Sequence, residues 1–228
     1  RKLHVESRPF AEKLSPAELE QPKAAATNFS TLWTKPFRTR TIMLWLAWFG
    51  IVFSYYGIFM WLPSIVFAQG FAVVKTFEYV LIMTLAQLPG YYAAAWLVDV
   101  IGRKYTLSLF LLMSGICSFF FGNAASASSL LAWGAAMSFF NLGAWGVLYT
   151  YTPELYPVRF RAFGSGWAGA VGRVGGILAP MAVAALITQP EGFSKIFMMF
   201  TGVLLAVVAV IVLLGEETRG RTLEDISS

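Results

Sequence analysis

The sequence predicts an all-α membrane protein with six transmembrane helices. Three observations predict it. Hydrophobic residues make up 57% of the 228-residue chain and charged residues only 13%, with a mean hydropathy of +0.65, a balance foreign to water-soluble domains. The apolar residues gather in six runs of roughly twenty, the length at which a helix crosses a bilayer core. The runs are joined by short connections, as between antiparallel neighbours, and lysine and arginine crowd into alternate ones. The net charge of +5 therefore belongs to loops, and calls for no nucleic-acid partner. Cys117 has no second cysteine to pair with and His4 is the one histidine, so neither a disulfide nor a metal site is expected. No Ser/His/Asp or Cys/His set is present either. Catalysis and a bound cofactor are not expected.

Taken in order, residues 1–41 are the one long hydrophilic segment. Arg1 opens it with neither an initiating Met nor a signal-peptide pattern, so the chain reads as part of a longer one. Ser15-Pro16-Ala17-Glu18 has the form of a capping box with proline at the first helical position, which predicts a short helix. Lys35, Arg38 and Arg40 then crowd against the first apolar run, the mark of a solvated inside loop, with contact to anionic headgroups as the alternative. Span one covers about 42–67 and is rich in Trp45, Trp48, Tyr55, Tyr56 and Trp61; Gly57 and Pro63 are expected to interrupt it. Span two, about 77–98, carries Pro89-Gly90 near its middle. Span three (105–122) is apolar and featureless, span four covers about 129–152, span five 163–187, and span six (195–215) is again featureless. Residues 216–228 form a polar tail.

Orientation follows from the basic residues. One set of alternate segments holds eight lysines and arginines in 1–41, then Arg103, Lys104, Arg159, Arg161, Arg219 and Arg221; the other set holds only Lys75 and Lys195. That bias predicts both termini in the cytoplasm. The six spans also divide into two sets of three with matching character. Spans one and four carry the aromatic and polar residues, two and five have Pro/Gly near mid-membrane, and three and six are greasy throughout. Such pairing points to inverted repeats with a binding site near the midplane.

The short polar motifs carry a resemblance. Asp99-Val-Ile-Gly102-Arg103-Lys104 resembles the D-x-x-G-R-[RK] loop of the major facilitator superfamily. Pro153-Glu154-Leu-Tyr-Pro157-Val-Arg159-Phe-Arg161 and Glu217-Thr218-Arg219-Gly220-Arg221-Thr222-Leu223-Glu224 resemble the corresponding loop and tail of its sugar-porter-like and organic-ion branches. The resemblance covers essentially the whole chain. It implies the C-terminal six-helix half (42–215) of a twelve-helix transporter, preceded by the central cytoplasmic loop (1–41). It also implies a cytoplasmic gate made by Asp99, Gly102, Arg103, Lys104, Glu154, Arg159, Arg161, Glu217 and Arg219, in which Glu154 pairs with Arg103, Arg159 or Arg161. The tail departs from the pattern, with Gly215-Glu216 where proline usually precedes the glutamate.

Substrate is read from Arg173, about eleven residues inside span five and so roughly 16 Å deep. A guanidinium at that depth costs about 2.5–3.5 kcal/mol on insertion scales, so it faces a cavity or a partner. Gly166, Gly169, Ala170 and Gly176 leave room beside it, and no acidic residue lies at its depth. An anion, a carboxylate above all, would supply the missing charge; backbone carbonyls or an acid elsewhere in a longer protein are the alternative. Asn141, Trp145, Tyr149 and Thr152 repeat at helical spacing in span four, a stripe suited to a flat aromatic acid, with Gln87 and Tyr91 one turn apart in span two. Gly172-Arg173-Val-Gly175-Gly176-Ile-Leu-Ala-Pro180 and Ser54-Tyr55-Tyr56-Gly57 are similar to segments of the niacin and organic-anion branches, which adds Tyr55 and Tyr56 as binding residues. A paired-glutamine motif of sugar porters is missing from span one. The expected function is thus alternating-access transport, by symport or facilitation, of a small organic anion such as nicotinate across the cell membrane. The rivals are a sugar or polyol carrier and a membrane scaffold without turnover. The expected partners are the lipid bilayer, the N-terminal half and protons, whose acceptor would lie in that other half.

Overall fold

The computed structural model describes residues 28–68 and 73–221. The capping box at Ser15 and the tail residues Thr222, Leu223 and Glu224 lie outside them. A 3-10 turn, Phe29–Trp33, leads into α1, Lys35–Phe59, and seven more α-helices follow along the described residues: α2 Leu62–Ala68, α3 Val73–Leu85, α4 Gln87–Ile101, α5 Arg103–Gly122, α6 Ala127–Glu154, α7 Arg161–Ile187 and α8 Gly192–Leu214. With α3 and α4 read as one bent span, six helices are long and apolar enough to cross a membrane.

Proline decides two of the breaks. Pro63 has no N–H to give the Phe59 carbonyl, and α1 stops there before α2 resumes. Pro89 likewise cannot donate to the Leu85 carbonyl, and α3 ends at Leu85. Two expected interruptions do not materialise. Gly57 stays inside α1, where its lack of a side chain admits the Phe200 ring of α8. Pro180 stays inside α7, which runs unbroken from Arg161 to Ile187; one lost bond is a small part of so long a helix. The bend is therefore a property of span two alone. Asp99, expected in a loop, is still helical, one turn from the end of α4. At the start of α6, Ser126 and Ser129 close a reciprocal capping box.

The helices pack through small residues, as membrane helices do where lipid offers no hydrophobic contrast. A Cβ on Gly175 of α7 would lie 2.6 Å from the Phe49 carbonyl oxygen of α1, so α1 and α7 touch backbone to backbone. Gly90 of α4 meets the Phe139 carbonyl of α6 in the same way. Helix α5 lies against both α6 and α8, and α4 against α6. Two buried clusters fill the interior, one around Leu44, Phe110, Leu148 and Tyr151, the other around Met83, Phe121, Phe197 and Phe200. Coverage is uneven: 61% of the first span is buried, against 17% of the second and 22% of the fifth. Tyr92 and Trp96 on α4, and Ile177 and Met181 on α7, stand out from the bundle.

Gly102 alone joins α4 to α5, with φ 95° and ψ 172°, a region open essentially to glycine. A Cβ there would also come within 2.5 Å of the Glu217 carboxylate oxygens. Gly102→Ala should cost about 1–3 kcal/mol and expel the tail. A thermal melt of the full-length protein in detergent that does not move would refute this.

Candidate functional site: an aromatic groove and its polar clasp

Three helices frame a groove of about 750 Å³. Helix α1 contributes Trp48, Val52 and Tyr56, one residue per turn along a single face, and α6 contributes Trp145, Tyr149 and Thr152. Helix α7 closes the groove with Arg173 near one end and Arg161 at the other, joined by Ser165, Gly166, Gly169 and Ala170. No aspartate or glutamate lines it. Arg173 is exposed and makes no hydrogen bond or ion pair with a described residue.

The aromatic wall is held by its own contacts. Trp48 donates from Nε1 to Thr152 Oγ1 at 2.8 Å and meets the Tyr149 ring edge to face at a centroid distance of 4.9 Å. Tyr55 lies behind the wall, 5.0 Å from the Trp145 ring, and Tyr56 is 40% exposed toward the groove. The structure thus brings Arg173, Tyr56, Trp145 and Tyr149 to one cavity, with Tyr55 in support. The other three sequence candidates sit elsewhere. Asn141 is fully buried, its Nδ2 donating at 3.3 Å to Ser54 Oγ and to Ser114 Oγ, a tie between α1, α5 and α6. Tyr91 rests on Gly146 and lines a separate cavity of about 490 Å³ beside Asp99, Arg103 and Glu154. Gln87 opens α4, half-buried, and lines neither cavity. Trp48, Val52 and Ser165 are among the groove residues that sequence reading did not assign to the site. The four-residue spacing of Trp48, Val52 and Tyr56 was the available signal.

At one end of the bundle the short polar motifs close into a clasp. Arg103 Nε donates to both carboxylate oxygens of Glu154, at 3.1 and 3.0 Å, so Arg103 rather than Arg159 or Arg161 is the partner of Glu154. Thr218 Oγ1 donates to Glu154 as well, at 2.5 Å. The Glu217 carboxylate accepts the backbone N–H groups of Arg103 and Lys104, both at 3.0 Å. It thereby caps the positive end of α5, a place where a carboxylate is favoured. Asp99, two residues from the end of α4, is exposed. Arg40, which sequence reading treated as a loop charge, pairs with Glu216 at 2.8 Å, and Tyr151 donates its hydroxyl to the Glu216 carbonyl at 2.5 Å. Arg219 reaches the Val100 carbonyl, and Arg161 Nε donates to the Pro153 carbonyl at 2.9 Å. Arg159 is exposed. Although Gly215 stands where proline was expected, residues 216–219 dock on α1, α4, α5 and α6. Beside this clasp, Tyr156 is buried and shares a hydrogen bond of 3.0 Å with Thr41; burial pushes its phenol above the ordinary tyrosine range.

A six-span bundle with an aromatic groove along one side and an ion-paired clasp at one end defines an integral membrane protein. Comparison with known families agrees. The family described as "Sugar (and other) transporter" matches residues 1–228, and the chain belongs to that family of the major facilitator superfamily. It is 62% identical over 199 residues to the niacin transporter NiaP of Acinetobacter baylyi, covering 87% of this chain and 45% of that protein. It is 50% identical to the putative niacin/nicotinamide transporter NiaP of Bacillus subtilis, covering 86% and 49%. It is 28% identical to the synaptic vesicle 2-related protein of Rattus norvegicus, covering 86% and 39%. The chain spans a little under half the length of these relatives. Six helices in half the length fit half of a transporter of this superfamily.

Proposed function

We propose that this chain forms the C-terminal half of a carrier that moves a small aromatic carboxylate, nicotinate or a close analogue, by alternating access. The observation that carries the reading is the groove: aromatic rings on two walls, a guanidinium with no counter-ion among the described residues on the third, and no acid among its lining residues. An aromatic acid satisfies both demands, its ring against Trp145 and Tyr149 and its carboxylate on the Arg173 fork. The name of the Acinetobacter relative favours the same cargo, while that of the Bacillus relative adds the neutral amide beside it, which is why nicotinamide enters the test. Residues 1–41 then serve as the central cytoplasmic loop, 42–215 as the membrane half and 216–228 as the tail, with both termini in the cytoplasm of a cell membrane. The exposed faces of α4 and α7 meet the N-terminal half and lipid. Proton coupling, if the carrier is a symporter, uses an acceptor in that other half, since the groove offers none. The clasp of Arg103, Glu154 and Glu217, together with Asp99 and Arg159, forms the cytoplasmic gate.

The test is uptake of labelled nicotinate by vesicles holding the full-length protein. Unlabelled nicotinate should suppress it, while the neutral amide nicotinamide and glucose should not. Equal suppression by nicotinamide would remove the anion requirement, suppression by glucose would favour a sugar carrier, and absence of any uptake would favour a scaffold.

A further inference from the structure

The groove has a second cation, and its setting differs from that of Arg173. Arg161 lies twelve residues earlier on α7, about 18 Å along the helix axis. Its Nε is held by the Pro153 carbonyl, whereas its Nη2 is shielded from solvent and meets no acceptor among the described residues. An unanswered guanidinium N–H is costly in a shielded place. Arg161 also lines a second cavity, of about 560 Å³, which shares Tyr149 and Pro153 with the groove. Arg103, Arg161 and Arg221 face that cavity against the single acid Glu154, and Glu154 is already engaged by Arg103 and Thr218. Excess positive charge therefore remains at the junction of the two cavities.

Between the two arginines the helix surface is bare. A Cβ added to Gly166 or to Gly169 would meet nothing within 4 Å, so packing within this half does not demand glycine at either position. The lane they open runs past Tyr149, 58% exposed, which borders both cavities.

We propose that Arg161 is a second anion-binding station, which receives a small carboxylate passing along α7 between the Arg173 site and the clasp end. The inference rests on the anionic reading of the groove. At about 18 Å of axial separation, one small acid cannot occupy both places, so two can be bound together.

Equilibrium binding of labelled nicotinate to the purified full-length protein tests this. The wild type should bind two equivalents, one tighter and one weaker. Arg161→Gln, which keeps a donor and removes the charge, should weaken only the weaker class by tenfold or more. Arg173→Ala should remove only the tighter class. Two classes unchanged by Arg161→Gln, or a single class in the wild type that Arg173→Ala abolishes, would overturn the second station and leave the first intact. Binding that survives Arg173→Ala in full would overturn the anionic reading itself and this inference with it. Should Arg161→Gln lose both classes through misfolding, Arg161→Lys decides: two equivalents with a weakened second class support the station, and an unaltered second class refutes it.

Discussion

Arg173→Ala should abolish nicotinate uptake by the full-length protein while the amount of protein in the membrane holds steady or rises. The two halves of that expectation have separate causes. In this half Arg173 makes no hydrogen bond or ion pair with a described residue and stands exposed at the groove, so removing it breaks no contact within the bundle. Insertion even becomes easier, because a guanidinium at mid-helix costs about 2.5–3.5 kcal/mol on insertion scales. Cargo binding loses a charge-assisted pair, worth about 1.5–3 kcal/mol and so roughly ten- to a hundredfold in affinity. Arg173→Lys keeps the charge but not the planar two-donor fork, and an ammonium on a flexible stem cannot match both carboxylate oxygens at once. Its half-saturation concentration should rise by about tenfold. Uptake that persists unchanged in both variants, at equal surface expression, would make Arg173 a structural residue, and a variant lost from the membrane would show that it pairs with the other half.

The fold was legible in the sequence because its signals are additive. Apolar runs, short connections and basic asymmetry each recur along the chain, so no single residue had to be read correctly. Proline was legible only in part. Pro63 and Pro89 break their helices, but Pro180, with the same missing donor, does not, so the missing donor alone does not decide a break. The groove was half legible for a different reason. Helical spacing puts Asn141, Trp145, Tyr149 and Thr152 on one stripe, yet a stripe rotates against its neighbours: Trp145, Tyr149 and Thr152 reach the groove while Asn141 turns into the packing between α1 and α5. Long-range pairs were least legible of all. Arg40 and Glu216 stand 176 residues apart, and nothing local distinguishes either from an ordinary loop charge.

Reversing the central pair of the clasp should reveal its energy. Arg103 and Glu154 are each about three-quarters buried, at 24% and 23% side-chain exposure, so their attraction is only partly screened by solvent. Glu154→Gln leaves Arg103 without its carboxylate and weakens the acceptor for Thr218, whose hydroxyl ties the tail to α6. Arg103→Glu does more harm, since it sets two carboxylates face to face while a third, that of Glu217, already sits on the backbone N–H of the same residue. On the proposed alternating-access reading the clasp forms on one side of the cycle and opens on the other, so that its strength sets the balance between the two states. Each single change should shift that balance by about 1–2 kcal/mol, enough to cut transport roughly five- to thirtyfold. The double reversal, Arg103→Glu with Glu154→Arg, should recover part of the loss, because the pair is restored although Glu217 now opposes it. The measurement is nicotinate uptake for the four members of the cycle at matched expression, together with labelling of a cysteine placed at the clasp end, whose accessibility reports the open state. A coupling energy near zero, with both single changes as active as the wild type, would show that Arg103 and Glu154 serve only to keep their loops in place.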